Sequence, residues 1–361
     1  MKIRVGIVGM GKMGRIRKKE MEAHGGFEIV ALCDVDPKIR EEFPKLFFSS
    51  DWRELLKQEM QAVVVCTFNN VIPEIVCAAL ETGLHVFSEK PPGRSASDVE
   101  QMQTAEKKAK NKILKFGFNH RYHHGIMEAK AIVDSGRYGK ILWARGIYGK
   151  AGGISFQNNW RTQKDVAGGG ILLDQGIHML DLLLYFMGDF TDVKSIVQNC
   201  YWKNTDLEDN AFALLQTREG KVAMLHSSAT QWRHKFSLDL FLEDGYVCVN
   251  GILSSTRSYG EESVTFAKKQ FEDETKAMGK PREETIYFDT DDSWKLETHE
   301  FFDCISGRKK IPLGNSGDAL KVMQLIEKIY EKGKPETEMP VSFENTSLKF
   351  QKPGPSQEAL R

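Results

Sequence analysis

Three residues in this chain have the types and spacings to move a proton at a substrate oxygen: Lys90, Asp174 and His178. Asp174 and His178 stand four apart in Gly168-Gly169-Gly170-Ile171-Leu172-Leu173-Asp174-Gln175-Gly176-Ile177-His178-Met179-Leu180-Asp181, whose apolar spacing predicts a helix over residues 171–187. Residues i and i+4 share a helix face, so the carboxylate is expected beside the imidazole, orienting it and raising its basicity. Asp181 is three residues further on, close to the same stripe. Such an imidazole can take a hydroxyl proton while hydride leaves the carbon, as alcohol oxidation requires. Lys90 belongs to Ser88-Glu89-Lys90-Pro91-Pro92, at the C-terminal end of a predicted parallel strand. Ligands of such sheets bind beyond those strand ends, and Pro91 allows a cis bond. A helical D-x-x-x-H pair on its own is more often structural, so its context decides.

That context begins at Gly9-Met10-Gly11-Lys12-Met13-Gly14, a G-x-G-x-x-G motif after a predicted strand and at the start of a predicted helix. The first glycine permits the tight turn, the second admits a pyrophosphate, and the third lets helix and strand pack. Asp34 ends the second predicted strand about 20 residues later, where a carboxylate can accept from ribose hydroxyls. Asp34 and Asp36 would repel a 2′-phosphate, with Lys38 the nearby counterweight, so NAD is expected ahead of NADP. Arg15 is placed to brush the pyrophosphate; Arg17, Lys18 and Lys19 read as a solvated helix face.

The elements that must position these groups fall into two sets. Residues 1–121 alternate strands (3–8, 27–33, 62–67, 85–88, 113–118) with helices (14–24, 52–58, 73–82, 97–110), which predicts a doubly wound parallel Rossmann sheet. Residues 122–335 read as an α/β domain: helices at 126–135 and 171–187, a strand at 141–148, then strands and turns over 193–289 suggesting an antiparallel sheet. Helices at 294–306 and 319–331 follow, and residues 336–361 form a polar, proline-bearing tail.

Composition narrows the function. The 361 residues are 41% hydrophobic and 28% charged, ordinary for a globular chain, with 50 basic and 50 acidic residues. A balanced charge gives no basic excess for nucleic acid or a membrane surface. The apolar runs fall short of the ~20 residues that span a bilayer. The six cysteines form no C-x-x-C pair and suit a reducing compartment; with no signal-peptide pattern at the start, the expected location is the cytoplasm.

The glycine fingerprint, Glu89-Lys90-Pro91, and Gly168-Gly169-Gly170 with Asp174, Gly176, His178 and Asp181 together resemble the glucose-fructose oxidoreductase, inositol dehydrogenase and rhizopine-catabolism (Gfo/Idh/MocA) family. The resemblance covers essentially all the chain before the tail. It implies an N-terminal Rossmann domain and a C-terminal α/β domain with a large, mostly antiparallel open sheet that often mediates oligomer contact, hence a homodimer or homotetramer. It implies that Lys90 binds the reacting oxygen, that Asp174 and His178 are the acid/base pair, that Glu89 lies at the cofactor mouth, and that Thr67-Phe68-Asn69 matches the turn beside the nicotinamide ribose. Phe68 departs from the usual proline there, and Ile72 from a frequent histidine.

Substrate contacts are expected from Asn119 and Arg121, at the entry to the second domain, and from Trp160 and Arg161 in the loop before the glycine triplet. Sugars stack on aromatic faces, and arginine grips phosphates or carboxylates. His120, His123 and His124 lack a carboxylate or cysteine at metal-ligand spacing in the sequence, and no metal is expected. The reading is an NAD-dependent dehydrogenase or ketoreductase of a sugar, polyol or sugar nucleotide. A redox-neutral enzyme that retains NAD and a non-catalytic NAD-sensing regulator are the alternatives. Relatives that signal tend to lose the lysine or histidine, and this chain has both.

Overall fold

The computed structural model describes residues 2–152, 159–203 and 205–333; the predicted tail lies outside them. Ile3–Val8 (β1), Phe27–Cys33 (β2), Phe47–Ser49 (β3), Ala62–Val65 (β4), His85–Ser88 (β5) and Leu114–Phe116 (β6) pair in parallel in the order β3-β2-β1-β4-β5-β6. The order reverses between β1 and β4, which opens a crevice beyond their carboxyl ends. β4 is Ala-Val-Val-Val with every residue buried, the pattern of a strand covered on both faces. Around the sheet lie Lys12–His24 (α1), Lys38–Glu42 (α2), Trp52–Leu56 (α3), Ile72–Glu81 (α4) and Ala96–Lys108 (α5). α5 starts at a capping box between Ser95 and Asp98, which satisfies two otherwise orphaned backbone donors. β3 and α2 are short and lack a periodic signature, and the sequence reading passed over them.

The second unit opens with His124–Asp134 (α6) and Ile141–Ala151 (β7). Lys164–Ala167 (α7) and Ile177–Met187 (α8) follow, then Phe190–Gln198 (β8), Asn210–Thr217 (β9), Val222–Ser228 (β10), Thr230–Leu242 (β11), Gly245–Asn250 (β12), Glu262–Lys268 (β13) and Glu284–Phe288 (β14). These strands form one sheet, β14-β13-β12-β11-β7-β10-β9-β8, antiparallel throughout except for the β7–β10 pair. Strand alternation gives the sheet two unlike faces. On β9, Ala211, Ala213 and Leu215 point into the core, while Phe212 and Leu214 are exposed.

Two features differ from the sequence expectation. The helix expected over 171–187 contains a π-helical turn at Leu172–Gly176 before α8 begins. Close packing accompanies it: a Cβ at Gly170 would lie 2.1 Å from the Glu208 carbonyl oxygen, and one at Gly176 would lie 2.8 Å from Ser227 Oγ. Single π turns inside helices are frequent at functional sites. The stretch Lys164–Met187 is also long and apolar enough to cross a bilayer, contrary to the expectation for any run in this chain, but 78% of its most apolar window is buried inside the fold.

The last helices bind the units together. Ser293–Ile305 (α9) returns to the first unit, where Phe301 is fully buried and meets Phe87 edge-on, with ring centroids 5.4 Å apart. Ser316–Lys332 (α10) packs between α5, α8 and β8. The cleft between the units is therefore held from behind.

Candidate active site

The glycine turn after β1 is shaped by close backbone approach. Gly9 has φ 90°, and a Cβ there would lie 2.4 Å from the Cys66 carbonyl oxygen. A Cβ on Gly14 would lie 1.9 Å from the Gly9 carbonyl oxygen, so only glycine lets α1 sit this close to β1. Gly11 differs, because a Cβ there would meet nothing within 4 Å. The α1 N-terminus has no side-chain cap, leaving its backbone donors open to an anion. Asp34 accepts the Met10 N–H through Oδ2 and the Asp36 N–H through Oδ1, which fixes the carboxylate against the turn. Open space over Gly11, an uncapped helix start and a fixed carboxylate at the end of β2 fit a dinucleotide. Arg15 is occupied by a two-pronged pair with Glu42.

A cavity of about 510 Å³ continues from this turn. Lys12 and Met13 form one wall; Lys90, Asn119, Asp174 and His178 form another. Lys90 follows β5 and precedes a cis bond to Pro91. Its Nζ donates to the Asp174 backbone carbonyl at 2.7 Å, in the π turn. Burial lowers its pKa, opposed mainly by Asp174.

The expected Asp174–His178 pairing is not formed. The Asp174 carboxylate accepts from Lys150 Nζ at 2.9 Å and from Arg161 Nε at 3.0 Å. Burial pushes its acidity down, but Lys150, Lys90 and Arg161 outweigh burial and hold the carboxyl well below the usual range. His178 makes no hydrogen bond among the described residues, and its Nδ1 is buried without a partner. The ring stacks on His120 at 3.7 Å and 16° instead. His120 is held in turn by Tyr148 Oη at 3.0 Å and Asn119 Oδ1 at 3.2 Å. Burial, reinforced by Lys90 and His123, keeps His178 neutral well below the usual histidine range. The i,i+4 rule assumes α-helical geometry, and the π turn between the two residues breaks that assumption.

Several expected contacts lie elsewhere. Glu89 is buried behind Lys90, where it accepts from Arg17 Nε at 2.6 Å rather than facing the cofactor cleft. Arg17, expected in solvent, is 1% exposed; it also donates to Glu297 of α9 and lies against the Phe87 and Trp294 rings. Arg121 does not reach the cleft. It forms a two-pronged pair with Asp181 and a third bond to Asp318, so Asp181 is likewise removed from the His178 face. Asn69 is buried and donates to the Ala167 carbonyl across the units. Thr67 adjoins Phe68, which meets Trp160 edge-on at 5.2 Å; Trp160 also underlies the Arg161 guanidinium at 4.4 Å. The three neighbouring histidines diverge, with His123 on Glu262, His124 on Asp292 and His120 on Tyr148.

Lys150, Tyr148, Gln175, Tyr259 and Trp294 also line the cleft. The stretch Tyr148–Gly153 reads in the sequence as part of the same substrate loop as Trp160 and Arg161, whereas Gln175, Tyr259 and Trp294 were not selected. Tyr259 reaches Gln175 Nε2 at 2.7 Å from a distant loop, a contact with no local signature.

A doubly wound unit, an open-sheet unit and a cleft between them that Lys90 and His178 line are the arrangement of a two-unit dinucleotide-binding fold. Residues 3–118 match the oxidoreductase family with NAD-binding Rossmann fold, and residues 126–248 match the GFO/IDH/MocA C-terminal domain. The chain belongs to the Gfo/Idh/MocA family. Levoglucosan dehydrogenase of Pseudarthrobacter phenanthrenivorans is 30% identical over 210 residues, 54% of each chain; this chain thus spans about half the length of that relative. Myo-inositol 2-dehydrogenase of Thermotoga maritima is 27% identical over 267 residues, covering 70% of this chain and 77% of the relative. The solved levoglucosan dehydrogenase in complex with NADH and levoglucosan shares the fold, with TM-score 0.78 and 23% identity over 93% of this chain and 98% of that one.

Proposed function

We propose that the chain is an NAD-dependent dehydrogenase or ketoreductase acting at one secondary hydroxyl or keto carbon of a sugar, polyol or sugar nucleotide. One observation carries this reading: Lys90 and a neutral, unpaired His178 share the wall of a cavity that begins at the glycine turn. NAD would rest on residues 9–14, with Asp34 toward its ribose and Thr67 and Phe68 beside the cleft, and would supply the hydride acceptor or donor. A neutral imidazole with a free nitrogen can accept the substrate hydroxyl proton in oxidation. Lys90 donates to the same oxygen and stabilises the negative charge that develops there. Asp174 acts differently from the role read in the sequence: it anchors Lys150 and Arg161 with its carboxylate and Lys90 with its carbonyl.

The relatives named dehydrogenases of levoglucosan, myo-inositol and D-glucosides support a carbohydrate substrate. Turnover of a panel of polyols, glycosides and nucleotide sugars with NAD, followed by NADH absorbance, tests the reading. A panel oxidised only with NADP, or no NAD binding, would reject it. We further read the exposed apolar face of β8–β10, carrying Ile196, Phe212, Leu214 and Met224, as the contact of a homodimer or homotetramer. Light scattering checks this, since a monomer at micromolar concentration contradicts it. A cytosolic setting belongs to the same reading, as the six cysteines are free thiols.

A further inference from the structure

The cleft carries more positive charge than its own carboxylates, Asp174 and Asp291, balance. Lys90, Lys150 and Arg161 converge on Asp174: two on its carboxylate, one on its carbonyl. The other acidic groups nearby make no ion pair with these three cations. Glu89 lies behind the wall on Arg17, and Asp291 accepts the Ser293 N–H and lies 3.9 Å from His123 Nε2. Against the four cations of the cavity wall, Lys12, Lys90, Lys150 and Arg161, stand the carboxylates of Asp174 and Asp291, which leaves the wall with a cationic excess. Asp174 is held ionised by these neighbours, so it supplies one negative charge and no more.

The excess has a direction. Arg161 uses Nε on Asp174 and rests its guanidinium on Trp160, while its two terminal nitrogens have no hydrogen-bond acceptor among the described residues. Its side chain is 38% exposed and that of Lys150 is 28% exposed, both on the cavity wall. Water reaching the cleft screens them. A sugar filling the cavity removes that water, and an unpaired buried cation is costly. A guanidinium fork with two free donors matches a carboxylate or phosphate.

We infer that the substrate bears an anionic substituent, a carboxylate or a phosphate, which Arg161 and Lys150 bind beside Asp174. This rests on the dehydrogenase reading of the same cleft and narrows it from sugars in general to acidic ones. The anion would complete a ring of alternating charge: Lys150 and Arg161 would each bridge Asp174 and the substrate, fixing the sugar relative to Lys90 and His178.

The test is calorimetric titration of the NAD-loaded protein with D-glucuronate, D-glucose 6-phosphate and D-glucose. At least one anion should bind about tenfold or more tightly than D-glucose, and which one does so identifies carboxylate or phosphate. Arg161→Gln and Lys150→Gln, at partly exposed positions, should each weaken that anion about tenfold, a larger factor than either weakens D-glucose. Glucose binding as tightly as both anions, failure of both anions to bind, or insensitivity of the anion to both substitutions overturns the inference. A separate NADH fluorescence titration distinguishes the two levels. If NADH binds and a neutral polyol is oxidised while both anions fail, the acidic-sugar inference is wrong and the dehydrogenase reading stands; if NADH does not bind, the reading itself fails.

Discussion

Glu89 and Asp174 lie on opposite sides of Lys90, and the protein uses them in opposite ways. Behind the lysine, Glu89 is 4% exposed and closed into a buried group with Arg17 and Glu297, stitching α1, the loop after β5 and α9 together. In front, Asp174 sits in the cavity with two half-exposed cations that retain unused donors. One arrangement is sealed from solvent, with Arg17 Nη1 and Glu297 Oε1 left without a partner, and holds the fold; the other faces the cavity. A carboxylate next to the lysine proposed to be catalytic is thus no guide to its role until its partners are counted.

The back side predicts the largest effect. Breaking a buried ion pair by removing one partner costs about 3–5 kcal/mol, and Arg17→Met strands two carboxylates, one of which, Glu297, burial already holds above its usual pKa. Urea unfolding should show a loss of that order. Stability within about 1 kcal/mol of the parent, accompanied by a collapse in kcat, would place Arg17 on the catalytic side and erase the contrast.

The front side should respond in rate rather than stability. A base contributes roughly 10²–10⁴-fold and a positioned donor about 10²–10³-fold, so His178→Ala and Lys90→Ala should each lower kcat by at least about a hundredfold. NAD affinity should change little, because both lie beyond the glycine turn. The double variant should fall short of the product of the two, since both act on one oxygen and its proton. Near-parent turnover of His178→Ala would move the base role to Lys90. Asp174→Asn adds a sharper reading: it keeps the carbonyl that Lys90 uses and removes the charge that Lys150 and Arg161 share, so KM should change by a larger factor than kcat.

A smaller effect belongs to the cofactor turn. Asp34 holds the Met10 N–H, and hydrogen bonds to charged groups are worth about 1.5–3 kcal/mol. Asp34→Ala should weaken NAD by about tenfold or more while leaving NADP unchanged or tighter, read by fluorescence titration of both. A parent protein that prefers NADP would remove the basis for this assignment.

How much of this was legible follows from the range of each signal. β1, β2 and β5 fall at their expected residues because periodicity and flanking turns are local properties. The glycine turn was legible for the same reason: helix, strand and motif are contiguous. Lys90 and His178 were found as single residues, and the structure brings both to one wall. Their partners were not legible. The π turn is accompanied by Gly170 packing against Glu208 and Gly176 against Ser227, contacts between distant segments, and with it Asp174 pairs with Lys150 and Arg161 rather than His178. Arg121 looked as suitable a substrate ligand as Arg161, but Asp181 and Asp318 on two other helices claim it. An arginine's type shows what it can bind; only the fold shows whether its donors are already taken.

The smallest expected effect concerns pH and the stacked imidazoles. His178 and His120 both have pKa values held well below the usual 6.5, first by burial; Lys90 and His123 add to this for His178, and His178, His123 and Lys90 for His120. The unfolded chain binds protons at these sites near pH 6.5 while the folded chain does not, so stability is present above that pH and is lost as pH falls below it. Asp174 adds nothing to this window, since its stabilising contribution fades only at pH values near and below the ordinary carboxylate range. Buried carboxyls held high, such as Glu297, have the opposite sign, because their cost grows as pH rises. A wild-type curve alone therefore mixes the two. His178→Asn separates them: it removes one imidazole and leaves the carboxyls in place. Urea midpoints at pH 7.5 and 5.5 should show the parent losing more stability on acidification than the variant does. Equal losses would mean that His178 is protonated or partnered in the folded protein, and a neutral base in the cleft would then be the first claim to give up.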